Sequence, residues 1–313
     1  MLQLKIKESG RLDRVLRKAE LPGAEWLSRS AWDSLFEQGM VRDESGRRLV
    51  AGSQQDAGAL IQLNLPALAG ILPASESLVP VWMADDLALF DKPAGLDSYP
   101  LFPWETNSFA NRVAAWLMQT GKMSATDFSQ LASAPVLEGG LTQRLDRDTS
   151  GALLVALTTE KKAAIRTEFS VHHVNKSYLA LVHGIPKELE IHLQTWPENQ
   201  KKMAAGREPK KADAQRVHLS VEILGTGKST SLLRVRSVYG TRHVVRVSMA
   251  TMGHPLVGDA LYGTSQDGYT AHLLHAQAIQ IDGYPKLPEI PPPQSFLDSC
   301  RILGIDYFHG NGK

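Results

Sequence analysis

The sequence predicts an α+β protein in which a mainly antiparallel mixed sheet with flanking helices follows a smaller α+β unit. The chain of 313 residues has the length of about two domains at roughly 150 residues each. Hydrophobic residues make up 43% and charged residues 21%, so the chain can bury a sizeable core. Several β-branched runs in the second part of the chain indicate the antiparallel sheet.

The smaller unit covers residues 1–65. Apolar residues at helical spacing predict a helix over 11–20, and a second helix begins after serine caps and ends at Gly39. A hairpin with its turn at 43–46 follows, and alternating apolar residues predict a last strand at 61–65. Two helices and a few strands are enough for a compact small domain.

A stretch rich in proline, glycine, alanine and serine at 66–79 predicts a linker to the larger unit, which covers 80–313. Helices are expected at about 107–120 and 159–170, the second capped by Thr158 or Thr159. Strands are predicted for the β-branched runs at 151–157, 178–183, 216–224, 231–238 and 243–250.

The composition excludes several classes of protein. Lys and Arg total 34 and Asp and Glu 33, so the net charge of +1 argues against a histone-like nucleic-acid binder but allows a locally basic face. A single cysteine, Cys300, excludes an intrachain disulfide framework and a multi-cysteine zinc site. Apolar runs stop short of the roughly 18 residues of a membrane span, and no signal peptide is evident. We expect a cytoplasmic protein.

Basic residues concentrate in two stretches. Residues 11–18 contain four basic residues against one aspartate. Residues 201–216 contain six basic and two acidic residues, a local net charge of +4. Each stretch is compatible with an ordinary solvated surface or with contacts to the phosphates of a nucleic acid, and the second reading predicts binding that weakens steeply with salt.

The segment from Gln143 to Gly151 is the most informative for chemistry. Asp146 stands between Arg144 and Arg147, and nearby cations favour the charged form of a carboxylate. Thr149, Ser150 and Gly151 can form a tight turn that exposes this carboxylate. The residues alone leave two alternatives, a reactive carboxylate or a surface loop with a structural ion pair.

This segment resembles the motif HRLDxxTSG of the RluA-type pseudouridine synthases. Three further segments match that family in order: Asp91–Leu96 its KPAGL turn, Asn175–Gly184 its KxYxAxVxG strand, and Gly240–Gly263 its GRxHQIR…GHPIVGDxLYG pattern. The resemblance spans about residues 80–265. It implies the pseudouridine synthase fold and an isomerase that converts uridine in RNA to pseudouridine without a metal or cofactor.

The resemblance also implies roles for individual residues. Asp146 matches the essential aspartate, which acts either as a nucleophile on the sugar or as the base of a glycal route. Tyr178 matches the active-site tyrosine, and Arg246 matches the basic residue that pairs with the aspartate. Arg144 matches an arginine that fills the space left when the target uridine is flipped out of the RNA.

Residues 1–65 resemble the small RNA-binding domain named after ribosomal protein S-four. The matching segments are Arg11–Asp13, Leu27–Ser30 and Gly39–Val41. The resemblance implies that RNA backbone contacts Arg14, Arg17, Lys18 and Arg29. The second basic stretch adds Lys201, Lys202, Lys210 and Lys211 as candidate RNA contacts. The expected partner is ribosomal RNA, with transfer RNA as the other possibility. The protein is expected to be a monomer and not to associate with membranes.

Several positions depart from the family pattern. Gln143 replaces a histidine, Thr241 an arginine and Val244 a glutamine, and Ala214 stands in place of a threonine. These departures favour an alternative in which the protein binds RNA or assists ribosome assembly without catalysis. A glycosidase-like hydrolase would need a second carboxylate, for which only Asp148 lies nearby in the sequence. A third carboxylate, Asp259, is interpreted as structural because it lies in the GHPLVGDALYG turn, and the histidines are read as structural rather than metal-binding.

Overall fold

The computed structural model describes residues 2–18, 29–64, 71–102, 104–131, 137–263 and 268–307. Within the first two ranges a three-stranded antiparallel sheet has the order β1-β5-β3, and a two-stranded sheet pairs β2 with β4. The elements of this N-terminal unit are β1 (Leu2–Lys5), β2 (Gly10–Arg11), α1 (Leu12–Lys18), α2 (Arg29–Glu37), β3 (Val41–Asp43), β4 (Gln54–Gln55) and β5 (Leu60–Leu63).

The N-terminal unit has its own apolar core. Leu12 and Leu16 of α1 and Leu35 of α2 pack against Ile61 and Leu63 of β5, and all five are buried. The predicted helices, hairpin and last strand are therefore present where the structure describes the chain. Residues 19–28, which include part of both predicted helix boundaries, lie outside the described residues.

A nine-stranded sheet dominates the rest of the chain, in the order β11-β10-β12-β13-β9-β14-β8-β7-β6. Its neighbouring strands pair antiparallel except β14 and β8, which pair in parallel. Its elements are β6 (Trp82–Ala84), β7 (Leu87–Lys92), α3 (Phe109–Gln119), α4 (Ala125–Gln130), β8 (Ser150–Ala156), α5 (Thr159–Ser170), β9 (Val174–His183), β10 (Glu190–Pro197), β11 (Met203–Gly206), β12 (Gln215–Thr226), β13 (Thr230–Ser237), α6 (Val244–Thr251), β14 (Leu274–Ile281) and α7 (Gln294–Ile302). The predicted fold class, a mainly antiparallel mixed sheet with flanking helices, is confirmed.

The central strands are buried on both faces. Because successive side chains of a strand point in opposite directions, each of these strands contributes to two cores. In β8, Leu153 and Val155 join the core that contains α3, whereas Leu154 packs with Ile165 of α5. In β9, alternate residues divide in the same way between the core beside α6 and the core beside α7. Helices therefore cover the sheet around the strands that carry the motif residues.

Residues 71–79 lie along α3. Ile71 is buried in the α3 core, and the backbone amides of Ala74 and Leu78 donate to the carbonyls of Asn111 and Arg112. Residues 66–70 of the predicted linker lie outside the described residues. The division of the chain into 1–65, 66–79 and 80–313 stays a prediction.

One predicted strand is wrong. Residues 243–250 form a helix, α6, although valine is more common in strands. His243 adopts a left-handed backbone conformation with φ of 56°, which turns the chain into the helix, and Val244, Val245 and Met249 bury their side chains. Burial of this helix against the sheet outweighs the weak intrinsic preference of its valines.

Candidate active site

A cleft with a volume of about 510 Å³ brings together the predicted catalytic residues Asp146, Tyr178 and Arg246. The loop before β8 supplies Asp146, strand β9 supplies Tyr178, and helix α6 supplies Arg246. Arg144 lies at the same cleft. Residues separated by up to 102 positions in the chain, Arg144 and Arg246, thus line one cavity.

The backbone on both sides of Asp146 is held in place. The Ser98 hydroxyl donates to the Leu145 carbonyl at 2.7 Å and accepts from the Leu145 amide at 3.0 Å. On the other side, the buried Lys92 ammonium donates to the Arg147 carbonyl at 3.0 Å. The Asp146 carbonyl itself accepts from the Thr149 amide at 3.1 Å. Asp146 therefore sits on a loop whose main chain is fixed although it is not part of a strand.

Arg246 bridges two carboxylates. Its Nη1 donates to Oδ2 of Asp146 at 2.8 Å, while Nε and Nη2 donate to the two oxygens of Asp259 at 2.7 and 2.8 Å. Asp259 is 1% exposed, and its Oδ1 also accepts from the backbone amides of Leu261 and Tyr262. Two parallel hydrogen bonds to one carboxylate fix the plane of a guanidinium, so Asp259 sets the direction in which Arg246 meets Asp146.

Charge and burial act against each other at this pair. Burial lowers the pKa of Arg246. Its hydrogen bonds with Asp259 and the charges of Asp259 and Asp146 raise this pKa by more than burial lowers it, so the net pKa is raised. Burial raises the pKa of Asp259, and the Arg246 hydrogen bonds and charge outweigh that effect, so the net pKa is lowered. Both groups are therefore charged, and a buried ion pair keeps its geometry at neutral pH.

Tyr178 is a buried phenol in the cleft. Burial, and to a smaller extent the charge of Asp146, raise the pKa of its hydroxyl well above the ordinary value. The side chain therefore remains protonated at neutral pH. Its exposed fraction of 9% leaves only a small part of the ring open to the cleft.

A hydrogen-bonded chain of three residues leads from an edge hairpin of the sheet to Asp146. The Met203 amide donates to Oη of Tyr262 at 2.8 Å, and Oη lies 2.8 Å from Nδ1 of His243. Nε2 of His243 lies 3.6 Å from Oδ1 of Asp146. Burial lowers the pKa of His243, although the charge of Asp146 opposes this effect.

The Thr149-Ser150-Gly151 segment joins the Asp146 loop to the sheet. The Thr149 hydroxyl lies 2.8 Å from Nε2 of the buried His272. Gly151 has φ of 110°, and a Cβ atom there would lie 2.1 Å from the Ala276 carbonyl oxygen of β14. Glycine is therefore required at this position by the close approach of β8 and β14.

The arginines that flank Asp146 in the sequence bind elsewhere. Arg144 donates to the Tyr99 hydroxyl at 2.7 Å, and Arg147 pairs with Asp97 at 2.6 Å. The expectation that these two residues surround Asp146 with positive charge is therefore wrong. Arg246, 100 positions away in the chain, takes that role because α6 packs beside the loop.

The predicted N-terminal RNA contacts lie on or beside α1. Arg14 and Lys18 are exposed, whereas Arg17 is partly buried and pairs with Asp33 of α2 at 3.0 Å. Arg29 begins α2, and its side chain lies outside the described residues. The exposed face of α1 is thus basic, and one of its arginines has a structural partner.

The second basic stretch includes an edge strand. Strand β11 pairs with β10, and Arg242 at the cleft donates to the carbonyls of Asn199 and Gln200 in the turn between them. Lys201 is exposed in this turn, and Lys202 lies 5.6 Å from the Tyr262 ring. Lys210 and Lys211 are exposed beyond β11. The turn that carries Lys201 and Lys202 therefore borders the cleft.

The departures from the family pattern leave the Asp146–Arg246 pair intact. Gln143, Thr241 and Val244 all line the cleft, and Val244 is also buried in the core that includes Val245 and Met249 of α6. The Thr241 hydroxyl is buried without a hydrogen-bond partner among the described residues. The three substitutions thus change the surroundings of the pair and one of them leaves a polar atom unsatisfied.

Sequence reasoning missed the groups that position the predicted residues. Ser98 and Lys92 hold the Asp146 loop, His243 and Tyr262 approach its carboxylate, and Asp259 orients Arg246. The signal for Lys92, His243 and Asp259 was their place inside the matched motifs. Their contacts could not be read from the chain because each depends on a partner from a distant segment.

The remaining expectations from the sequence concern a membrane span and a metal site, neither of which it predicts. No helix in the described part of the chain is long and apolar enough to cross a membrane. Among the same residues, no three histidine, cysteine, aspartate or glutamate side chains are grouped so that they could hold a metal ion.

Comparison with known sequences identifies related proteins. A model of the RNA pseudouridylate synthase family matches residues 86–251. A Zymomonas mobilis protein named ribosomal large subunit pseudouridine synthase D is 30% identical over 277 residues, which cover 86% of this chain and 82% of that protein. The protein of the same name from Pseudomonas aeruginosa is 26% identical over 94% of this chain and 98% of its own length.

Solved structures show the same fold. The human RNA pseudouridylate synthase domain-containing protein 4 superposes with a TM-score of 0.56 at 17% identity, covering 73% of this chain and 94% of that one. The related human domain-containing protein 1 has a TM-score of 0.51 at 22% identity, covering 72% and 88%. Because the family model matches more than half of the chain and a 30% identical relative matches most of it, the chain belongs to the RNA pseudouridine synthase family of isomerases.

Proposed function

We propose that this enzyme converts a specific uridine of large-subunit ribosomal RNA to pseudouridine, with Asp146 as the residue that reacts with the nucleoside. The observation that carries the proposal is the carboxylate of Asp146 at the cleft, oriented through one oxygen by Arg246. In the reaction the bond from C1′ to N1 of uracil breaks and a bond from C1′ to C5 forms. The proton leaves C5, and N1 gains one.

The two oxygens of Asp146 have different surroundings. Oδ2 accepts from Arg246, whereas Oδ1 has no hydrogen-bond partner among the described residues and lies 3.6 Å from Nε2 of His243. A carboxylate oxygen without a hydrogen bond is available to attack C1′ or to remove a proton from the sugar. Both routes use the same oriented carboxylate.

Tyr178 is proposed to contact the flipped uracil with its ring. Its raised pKa keeps the hydroxyl protonated, so the hydroxyl can accept the C5 proton only if it first gives its own proton to another group. Aromatic rings supply stacking surface for bases that have left a helix. This property supports a positioning role for the ring over that of a free phenolate base.

The target uridine is proposed to flip into the cleft, since a base within a helix is inaccessible to a side chain. Arg144 supports this step because it is exposed at the cleft, and the hydrogen bond from its Nη1 to Tyr99 directs its planar cation. A guanidinium can stack on the bases that remain after flipping. Neighbouring RNA would follow the basic residues at Lys201 and Lys202.

Ribosomal RNA is proposed as the substrate because the named relatives act on the large ribosomal subunit. The exposed basic face of α1 supports an RNA-binding role of the S-four type for the N-terminal unit, through Arg14, Lys18 and Arg29. Since these relatives are bacterial, the proposed compartment is the cytoplasm. Lys210 and Lys211 would add non-specific attraction to the RNA.

The deciding experiment maps pseudouridines across total RNA in a strain that lacks the gene. Wild-type protein is expected to restore one or more missing sites in large-subunit RNA, and Asp146→Ala is expected to restore none. Asp148→Asn is the matched control, because its carboxylate does not contact Arg246, and it is expected to restore the sites. Sites in transfer RNA would overturn the proposed substrate.

The same strains test the non-catalytic alternative, which the unsatisfied Thr241 hydroxyl and the other departures motivate. If Asp146→Ala restores growth and ribosome assembly without pseudouridine, RNA binding is the cellular role of the protein. If Asp146→Ala forms pseudouridine, the proposed role of Asp146 is wrong.

A further inference from the structure

Lys176 is a buried lysine in the wall of the cleft, and neither the chemistry nor the RNA contacts proposed above use it. It lies in β9 two residues before Tyr178, so both side chains leave the strand on the same side. Lys176 is 8% exposed, and its ammonium is 5.8 Å from the centre of the Phe169 ring. Its one hydrogen bond to a described residue is to the Tyr239 carbonyl.

Comparison with Lys92 shows what Lys176 lacks. Both are buried, and burial lowers the pKa of each to about 8. Lys92 donates to three carbonyls, those of Pro93, Leu96 and Arg147, and the charges of three aspartates support its protonated form. An ammonium has three N–H groups, so Lys92 is fully satisfied by the protein.

Lys176 has one carbonyl partner for the same three N–H groups. No carboxylate of the described residues offsets the effect of burial on its pKa. A buried charge is normally paired, because the loss of hydration costs several kcal/mol per ion. The other cation on this side of the cleft, Arg166, is already paired with Glu138. Lys176 is therefore a buried cation without a counter-charge in the part of the chain that the structure describes.

The surroundings of Lys176 leave room for an anion. Gly240 lies beside the Lys176 ammonium, since a Cβ atom built on this glycine would lie 3.6 Å from the ammonium nitrogen, and glycine puts no side chain there. The neighbouring Thr241 also lines the cleft, and its buried hydroxyl has no partner among the described residues. A cation with one hydrogen bond for three N–H groups and a hydroxyl without a partner among the described residues, both in the lining of one cavity, form a donor set suited to an oxyanion.

We propose that Lys176, assisted by the Thr241 hydroxyl, binds a phosphate of the RNA strand next to the nucleotide on which Asp146 acts. The inference rests on the proposed function, since it takes the cleft to hold an RNA strand. Lys176 and Tyr178 are separated by about 6.6 Å along β9, which puts the phosphate subsite next to the base subsite. A phosphodiester carries the full negative charge that this site lacks, whereas a uracil carbonyl carries none.

The test measures RNA binding in an Asp146→Asn background, so that no chemistry is needed for the readout. The probe is an unmodified transcript of the large-subunit ribosomal RNA of the source organism, and its affinity is measured between about 50 and 200 mM salt. The variants are Lys176→Met, which keeps the packing on Phe169, and Lys176→Arg, which keeps the charge. Lys161→Met is the matched control, because Lys161 also lies over an aromatic ring, that of Tyr284, but not at the cleft.

Lys176→Met is expected to bind about tenfold more weakly at the lowest salt concentration. The slope of log affinity against log salt is expected to become shallower by about 0.7, the loss of one phosphate contact to a single strand. Lys161→Met is expected to keep the parent slope. A role confined to packing against Phe169 and Tyr239 would alter thermal stability but would not alter this slope.

A parent slope in a folded Lys176→Met variant overturns the proposal. A lower kcat/KM of Lys176→Met in the otherwise wild-type enzyme, without a change of slope, also overturns it. That outcome would mean that Lys176 contacts an uncharged group of the base instead of a phosphate. If Lys176→Met does not fold, Lys176→Gln takes its place: a shallower slope than that of Lys176→Arg, which keeps the charge, supports the phosphate contact, and an equal slope refutes it. Failure of the wild-type enzyme to isomerise the transcript, with the Lys176 effect intact, would refute only the proposed RNA substrate.

Discussion

Two segments of the molecule present a carboxylate to the same guanidinium. The loop before β8 brings Asp146, and the turn after α6 brings Asp259. The Asp146 side chain is 25% exposed and shares one hydrogen bond with Arg246. The Asp259 side chain is fully buried, with two hydrogen bonds to Arg246 and two more from backbone amides.

The difference distinguishes Asp146, the carboxylate that we propose to react, from Asp259, which orients Arg246. The acceptor sites of Asp259 are occupied by donors of the protein, and no water or substrate reaches it. One oxygen of Asp146 is oriented by Arg246, and the other has no hydrogen-bond partner among the residues that the structure describes. The same residue type on the same arginine thus acquires two roles through exposure and partner number, which are properties of the fold.

The largest expected effect comes from Asp146→Asn. This change is expected to lower kcat by a factor on the order of 10⁴ or more, because an amide is neither a nucleophile nor a base. Stability is expected to change by less than about 1 kcal/mol, because the lost ion pair is partly exposed. Single-turnover assays and urea unfolding measure the two quantities. An active Asp146→Asn enzyme would remove the distinction between the two carboxylates.

Asp259→Asn is expected to have a smaller effect on activity and a larger one on stability. It leaves the buried Arg246 with one charged partner, and breaking a buried pair costs about 3–5 kcal/mol in free energy of unfolding. A kcat reduced by roughly 10- to 100-fold is expected because Arg246 is no longer held in one plane. Urea unfolding and single-turnover kinetics of the same preparation provide the comparison.

Equal effects of Asp259→Asn and Asp146→Asn on kcat, with no change in stability, would contradict the holding role. Asp298→Asn serves as the control for removing a paired but exposed aspartate, since Asp298 pairs with Arg301 on the surface of α7. Its expected change in stability lies below about 1 kcal/mol.

The smallest expected effect concerns His272, whose pKa is affected by the charges of both carboxylates. Burial and then the charge of Arg246 lower the pKa of His272 to about 4, although the charges of Asp146 and Asp259 raise it. The ordinary value is 6.5, so the unfolded chain binds a proton between pH 6.5 and 4 that the folded protein does not bind. His272 therefore destabilises the fold progressively as the pH falls through this window.

At pH 5 this cost amounts to about 2 kcal/mol, and at pH 7.5 it disappears. His272→Gln cannot be protonated, keeps an amide that can bond the Thr149 hydroxyl, and is expected to flatten the dependence by that amount. Urea unfolding of both proteins at the two pH values tests this. Parallel stability curves would show that His272 titrates normally in the folded protein.

The sequence was sufficient to predict the fold class, and the structure brings the predicted residues Asp146, Tyr178 and Arg246 to one cleft. Tyr178 lies in a strand, as predicted, whereas Arg246 lies in a helix that the sequence predicted as a strand. Helix α5, with its cap at Thr158, and the strands around 151–157 and 216–224 followed from periodicity and capping. These features depend on local pattern, which a single chain contains.

The remaining features depend on contacts between distant segments. Residues 243–250 appeared to be a strand because valine prefers strands, and only burial against the sheet shows why they form α6. Arg144 and Arg147 seemed to flank Asp146, but Tyr99 and Asp97 bind them instead. Lys92 and Lys176 are both buried lysines within motifs, and their different hydrogen-bond partners appear only in three dimensions.

The hydrogen bond from Met203 to Tyr262 affects which nitrogen of His243, the histidine next to Asp146, carries a hydrogen. Because the Tyr262 hydroxyl accepts from the Met203 amide, its own hydrogen is free to go to Nδ1 of His243. The neutral imidazole then carries its hydrogen on Nε2, the nitrogen that faces Asp146. When the Tyr262 hydroxyl donates to His243, a main-chain amide in a four-residue edge strand therefore favours the tautomer of a histidine beside the carboxylate that we propose to react.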